Sequence, residues 1–379
     1  MDFCLSEEHV FLLNTVRTFV KRECPRERVH ALDEEGTFPA DLLAKLAAMG
    51  LCSLNVPEAF GGVGQDFLGT LLVVEEIATM SPALAGLFGS MSLYGGAVIT
   101  KLGSSQQQER WLPDVASGEV LFSSAPIEVE AAPSVSARAD GDEFVLEGRV
   151  PFVAFAQLAD YVIVQASIDD GGEKTACFIV PTDTPRVQIA SVDTVGWRGG
   201  GSGAIHMDAV RLPRQSVLGG ENGLDQGTAQ AELIQSIQRL AIAALGVGLA
   251  QGAIDYAANY AGERSQFGQP IIAFEAIQHM LVDLLVDLQS ARWLLRHACW
   301  QADQGERFGL EAAMACLRAT ALARDAGLQS VHILGGYGYM AEYDAERYMR
   351  DSLLLFSGSD ASALLKTDIG MLKNLKGAA

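Results

Sequence analysis

Apolar residues recur at alternating steps of four and three along two stretches in the second half of the chain. The first carries Leu233, Ile237, Leu240, Ala244, Val247 and Ile254, and the second Ile277, Leu281, Leu284, Leu288, Ala291 and Leu295. Each set falls on one side of a helix, so the pattern predicts a helical hairpin over roughly 233–302. Stripes this long need other long helices to cover them. Between the arms, Gly262-Glu263-Arg264-Ser265-Gln266-Phe267-Gly268-Gln269-Pro270 contains two helix breakers, Gly268 and Pro270. The break puts a fixed cation (Arg264) and a ring (Phe267) at a bundle end, a suitable place to grip a phosphate-bearing planar ligand.

Residues 1–119 also read as helical. Ser6-Glu7-Glu8 supplies a cap and first-turn acids. Stripes follow at Phe11, Leu12, Val16, Phe19 and Val20, and at Leu42, Leu43, Leu46 and Met49 after Pro39. Apolar helices are predicted near 68–78 and 86–102, and Pro57–Gly64 reads as a glycine-rich connector. Over 120–224 the texture changes to short β-rich runs, such as Tyr161-Val162-Ile163-Val164 and Ala176-Cys177-Phe178-Ile179-Val180, punctuated by Asp-Gly and Gly-Gly clusters. That spacing suits an antiparallel sheet or small barrel. Residues 225–379 return to helix, apart from Gly335-Gly336-Tyr337-Gly338. The expected class is multidomain α+β: an N-terminal helical domain, a middle antiparallel barrel-like domain and a C-terminal helical domain. Strands and helices do not alternate, and no GxGxxG follows a strand, which argues against a Rossmann domain.

Composition narrows the partners. The chain has 379 residues, 49% hydrophobic and 20% charged, which reads as globular with a large core. A net charge of −20 argues against nucleic acid or an anionic membrane as partner, while a local Arg can still dominate a phosphate pocket. The six cysteines are scattered without a CxxC pair, so no metal site or disulfide framework is expected. The N-terminus lacks the basic region of a signal peptide, and stretches such as 240–250 read as too short to span a bilayer. A soluble cytoplasmic protein is expected.

A series of motifs then carries a more specific resemblance. They are Gly61-Gly62-Val63-Gly64; Leu102-Gly103-Ser104 with Trp111-Leu112-Pro113 and Ser117-Gly118-Glu119; Val210-Arg211-Leu212-Pro213; Gly248-Leu249-Ala250-Gln251; Arg264-Ser265-Gln266-Phe267-Gly268; Ile333-Leu334-Gly335-Gly336-Tyr337-Gly338; and Tyr348-Met349-Arg350-Asp351. In this order, on a helix–sheet–helix layout, the chain resembles the acyl-CoA dehydrogenase family over nearly its whole length. The resemblance implies a C-terminal four-helix bundle, FAD, and a homodimer or homotetramer paired through the bundles. It implies that Arg264, Gln266 and Phe267 meet the pyrophosphate and adenosine side of FAD from a neighbouring subunit. His332 through Gly336, including Gly335, would lie along the same FAD, with Phe274 and Ile277 lining it and Arg239 near the thioester pocket. Arg and glycine backbone suit phosphate oxygens.

The departures fall on the reacting side. The family removes an α-proton with a glutamate. Counting from the glycine or from Arg350-Asp351, that position is Ser357 or Ser359, and the second family location is Gln238. An amide is no base. Asp360 is the nearest carboxylate, although it also suits a helix N-cap before Ala361. The family's Trp-Ile-Thr/Ser becomes Phe152-Val153-Ala154, so the hydroxyl facing flavin N5 is lost. The flavin loop becomes Ala125-Pro126-Ile127-Glu128-Val129-Glu130-Ala131-Ala132, and its hydroxyl and glycines are expected to be gone. Three readings follow. One is oxidation, on an acyl carrier protein or CoA thioester, of an aldehyde hydrate or of a hydroxyl- or amino-bearing carbon, as family members of polyketide and peptide assembly lines do. The others are ordinary acyl-CoA desaturation with another base, and a non-catalytic family member.

Overall fold

The computed structural model describes residues 4–127, 129, 132–168, 174–358 and 362–373. Its first element, α1 (Glu7–Glu23), starts where the Ser6 hydroxyl accepts the His9 N–H, with acids in its first turn and Lys21 and Arg22 in its last. These charges complement the helix dipole at both ends. Next come α2 (Arg26–Glu35), α3 (Ala40–Ala48) and α4 (Phe67–Ala78). Helix α4 is the centre of this part, with Phe67, Leu71, Leu72, Val73, Val74, Ile77 and Ala78 all buried. After α5 (Pro82–Ser90) the chain does not break. It passes through π-helical backbone over Met91–Val98 into α6 (Ile99–Leu102). A capping box of Ser104 and Gln107 then opens α7 (Ser105–Ser117).

The middle of the chain folds into a seven-stranded sheet: β1 (Phe122–Ser124), β2 (Val135–Asp140), β3 (Glu143–Val153), β4 (Tyr161–Ile168), β5 (Thr175–Pro181), β6 (Val187–Ser191) and β7 (Gly203–Pro213). Hairpin neighbours pair antiparallel, as do β3 and β7. Strand β4 also takes β1 and β2 as parallel partners, with Phe122 opposite Tyr161 and Ser136 opposite Ser167. A parallel pair needs a long connection, and the β2–β3 hairpin lies within the one joining β1 to β4.

Helices resume with α8 (Gly227–Glu263). A two-stranded turn, β8 (Ser265–Gln266) and β9 (Gln269–Pro270), then leads to α9 (Glu275–Asp303). Phe267 and Gly268 at its tip both have positive φ, 52° and 84°, as a tight two-residue hairpin requires. The remaining helices are α10 (Gly309–Leu334), α11 (Ala345–Gly358) and α12 (Ser362–Leu372). Helix α8 ties the bundle to the N-terminal helices. A β-carbon built on Gly248 would sit 2.1 Å from the Glu75 carbonyl oxygen, and one on Gly252 2.1 Å from that of Thr79. Only glycine lets α8 and α4 touch backbone to backbone there. Contrary to the length read from sequence, the helices over Pro82–Leu102 and Gly227–Glu263 are long and apolar enough to cross a membrane. Their most apolar windows are 83% and 72% buried within the protein, so that surface is spent on the core.

Candidate active site

Two concavities stand out, an inner one and a more open one. The inner one is a cavity of about 390 Å³ between α4, α5 and its π-helical continuation, the end of β3, β1, α8 and α11. Val74, Ala85, Gly89, Ile242, Leu245 and Leu355 give it apolar walls. Its polar groups include Tyr94, Ser123, Ser124, Gln235, Gln238 and Arg239. No carboxylate is among its lining residues, within the described part of the chain.

Several of the residues singled out from sequence meet at this cavity. Gln238, on α8, donates its amide N–H to Ser124 Oγ at 3.1 Å and to the Ala125 carbonyl at 2.9 Å. Ala125 itself is buried and contributes that carbonyl. Gln238 also hydrogen-bonds the Tyr94 phenol, whose pKa burial raises and this bond partly lowers. Tyr94 lies in the π-helical stretch, a backbone form often found at functional sites. Phe152 and Ala154 face the cavity, whereas Val153 between them is fully buried in the core, as alternation along a strand dictates. The Ser123 hydroxyl donates to the Ala154 carbonyl at 2.7 Å and fixes that strand end. Ser124 corrects one expectation. The loop's hydroxyl is not lost, because Ser124 Oγ, one residue before Ala125, lines the cavity. Counting one residue further back would have found it.

Arg239 is 4% exposed and lines the same cavity; it forms an ion pair with Asp368 of α12. Ser357 lies in the last turn of α11. Ser359 and Asp360 lie outside the described residues. Asp351, one turn back from the cavity-lining Leu354 and Leu355, is buried against Arg347 at 3.8 Å. Burial pushes its carboxyl from 3.8 up to about 6, offset in part by Arg347.

The open cleft, about 520 Å³, is lined by Tyr260, Arg264, Gln266, Leu334, Gly335 and Gly336, among others. The Arg264 guanidinium lies 5.5 Å from the Tyr337 ring centre. Gly335 has φ 60°, and a β-carbon on Gly335 or Gly336 would meet nothing within 4 Å, so this backbone is open to a ligand. Phe267 stands 94% exposed, with Phe274 edge-on at 6.3 Å. Phe274 and Ile277 are half-buried and line neither concavity. His332 is exposed, and its neighbours Ile333 and Leu334 line the cleft. A guanidinium, open glycine backbone and uncovered rings fit the phosphate and adenine portions of a dinucleotide.

An anion-gripping cleft at the C-terminal end of α8 and a separate, mostly apolar cavity further back along that helix, on helix–sheet–helix architecture, suit a flavin-dependent oxidoreductase. Comparison with known proteins agrees. Residues 6–119 match the acyl-CoA dehydrogenase N-terminal domain and residues 225–365 the C-terminal domain. A probable acyl-CoA dehydrogenase, YngJ of Bacillus subtilis, is 35% identical over 96% of this chain and 97% of its own. The human mitochondrial short-chain specific acyl-CoA dehydrogenase is 36% identical over 92% of this chain and 85% of its own. Among solved structures, the glutaryl-coenzyme A dehydrogenase glutaryl-CoA complex superposes with a TM-score of 0.92 at 29% identity, covering 98% of this chain and 96% of the other. The chain belongs to the acyl-CoA dehydrogenase family, and its cofactor is FAD.

Proposed function

We propose that this oxidoreductase acts on an acyl thioester, carried by acyl carrier protein or CoA, at a carbon bearing a hydroxyl or amino group, and that it works as a homo-oligomer. FAD, when bound, supplies the two-electron acceptor. The observation that carries the reading is the cavity's donor set: amides, hydroxyls and one paired guanidinium, with no carboxylate among the described lining residues. Abstracting a proton from carbon needs a placed base. A hydroxyl or ammonium group can instead release its proton to solvent. Both Gln238 amide N–H groups are engaged by Ser124 and Ala125, so the oxygens of Gln238 and Tyr94 would orient that polar group by accepting its proton in a hydrogen bond. The homo-oligomer is supported by the exposed Phe267 tip, a ring that one chain leaves uncovered.

The test is anaerobic mixing of the holoenzyme with glyceryl, seryl and butanoyl thioesters, each on CoA and on acyl carrier protein, while the visible flavin band is followed. Bleaching by the glyceryl or seryl forms and not by butanoyl is expected, and the better carrier identifies itself by rate. Fast bleaching by butanoyl-CoA alone would overturn the reading. It would instead support short-chain desaturation with a base from outside the described residues, the reading favoured by likeness to the human short-chain enzyme.

A further inference from the structure

We propose that Phe155 and Trp197 form a fixed aromatic wall that sets how long an acyl chain the cavity takes. The proposal rests on the cavity being the acyl site, and not on which carbon is oxidised there. Phe155 lies two residues past the end of β3, and Trp197 sits in the loop before β7. Both are in left-handed backbone, at φ 60° and 57°. A bulky side chain is sparsely tolerated there and persists only where its surroundings over-determine it. Both rings line the cavity, 6.0 Å apart between centres and tilted by 33°. Their tips converge on one point of α5. A β-carbon built on Gly86 would lie 2.8 Å from Phe155 Cζ and 2.8 Å from Trp197 Cζ3. Sheet and helices therefore close on each other at Gly86 without room for a methyl group.

The loop bearing Trp197 is clamped on both sides. Its backbone N–H donates to Asp351 Oδ1 at 2.7 Å, and its indole N–H donates to the Asp351 carbonyl at 3.2 Å. Arg350 Nη1 donates to the Val195 carbonyl at 2.8 Å. A β-carbon on Gly196 would lie 2.5 Å from the Arg350 carbonyl oxygen, and one on Gly199 2.5 Å from that of Thr37. This is a wall and not a swinging gate. The polar cluster of Tyr94, Gln238 and Ser124 marks the other end. Tyr94 lies eight residues beyond Gly86 on one continuous helix, a span of about 12 Å at 1.5 Å per residue. An acyl group whose head sits at Gln238 and whose tail runs along that helix meets the rings after a short chain.

The experiment measures binding, not turnover. Holoenzyme is titrated with butanoyl- and octanoyl-pantetheine, the arm common to CoA and carrier protein, and the perturbation of the flavin spectrum gives Kd. The natural protein should bind the butanoyl ester at least tenfold tighter, a ratio of the size that a full pocket imposes on extra methylenes. Phe155→Asn, a side chain that tolerates left-handed backbone, should bring the two esters within about threefold, and Trp197→Gly should do the same by removing the other ring. Equal binding of both esters by the natural protein, no binding of either, or an unchanged ratio in both variants would overturn the wall. Loss of selectivity in one variant with retained flavin and fold would be sufficient support.

Discussion

Arg239, on α8, and Asp368, on α12, form an ion pair, so the one guanidinium among the described residues lining the inner cavity is held by a carboxylate from α12. The side chains are 5% and 20% exposed, which makes the pair only weakly screened by solvent. Removing the Asp368 carboxylate takes an opposing charge away from a guanidinium that is 5% exposed. Asp368→Ala should therefore cost about 2 kcal/mol of stability in chemical denaturation. The double variant with Arg239→Met should recover part of that loss, whereas a fully additive loss would show that the two residues do not act as a pair.

Gln238 holds a position where a carboxylate would face the cavity. Gln238→Glu keeps the shape but loses amide N–H donation to Ser124 Oγ and to the Ala125 carbonyl; the carboxylate can accept from the Ser124 hydroxyl but meets the Ala125 carbonyl with no proton between them. The variant should gain measurable desaturation of butanoyl-CoA, with a rate that rises with pH as the new carboxyl ionises. It should also lose affinity for the glyceryl thioester. Steady-state rates over a pH series check both effects. An unaltered butanoyl rate would mean that the residue does not reach the reacting carbon.

Arg264 is the cation of the open cleft. Arg264→Ala should weaken FAD retention about tenfold or more, in line with a charged hydrogen bond of about 1.5–3 kcal/mol. Lys in its place should recover only part, since it keeps the charge but not the planar fork. Flavin released on dilution, measured by fluorescence, gives the ratio.

Three buried or half-buried groups predict how stability follows pH. Burial raises Asp303, which accepts the Phe67 and Leu68 N–H groups, from 3.8 to about 6, and raises Asp351 likewise. A carboxyl whose folded pKa is raised binds its proton earlier in the folded state, so stability increases as pH falls from about 6 towards 4. His9, raised above 6.5 by its bond to Asp66, adds stability that is fully present below 6.5 and lost as pH rises through its folded value. All three act in the same direction. The melting temperature should be higher near pH 5 than near pH 8, and Asp351→Asn should shrink the difference. Glu23 and Asp41, held down by Lys45 and Arg28, reverse the trend only below their ordinary values of 4.5 and 3.8.

The sequence made the large elements readable, and the reason is local. A four-three stripe such as Leu233 to Ile254 records burial along a helix, and the Gly268-Pro270 break records where it must stop. Capping at Ser6 and Ser104 is equally local. What stayed hidden depends on groups far apart in sequence. Nothing near Phe155 announces a left-handed aromatic residue, because Trp197, Gly86 and the Asp351 anchor behind it lie on other elements. The pairing of Arg239 with Asp368 spans 129 positions. Parallel pairing of β4 with β1 and β2 leaves no mark in the alternation of either strand. Ser124 is legible by contrast: it is the hydroxyl residue directly before Ala125, and it lines the cavity.

The backbone contact at Gly248 and Gly252 bears on how the chamber can evolve. Helix α4 brings Val74 to it and α8 brings Gln238 and Arg239, so two residues without side chains help set the gap across which those groups face each other. A single methyl at either glycine would act as a wedge, prising the walls apart from well outside the chemistry. Substrate range can drift through the lining, but the hinge line behind it has almost no mutational latitude.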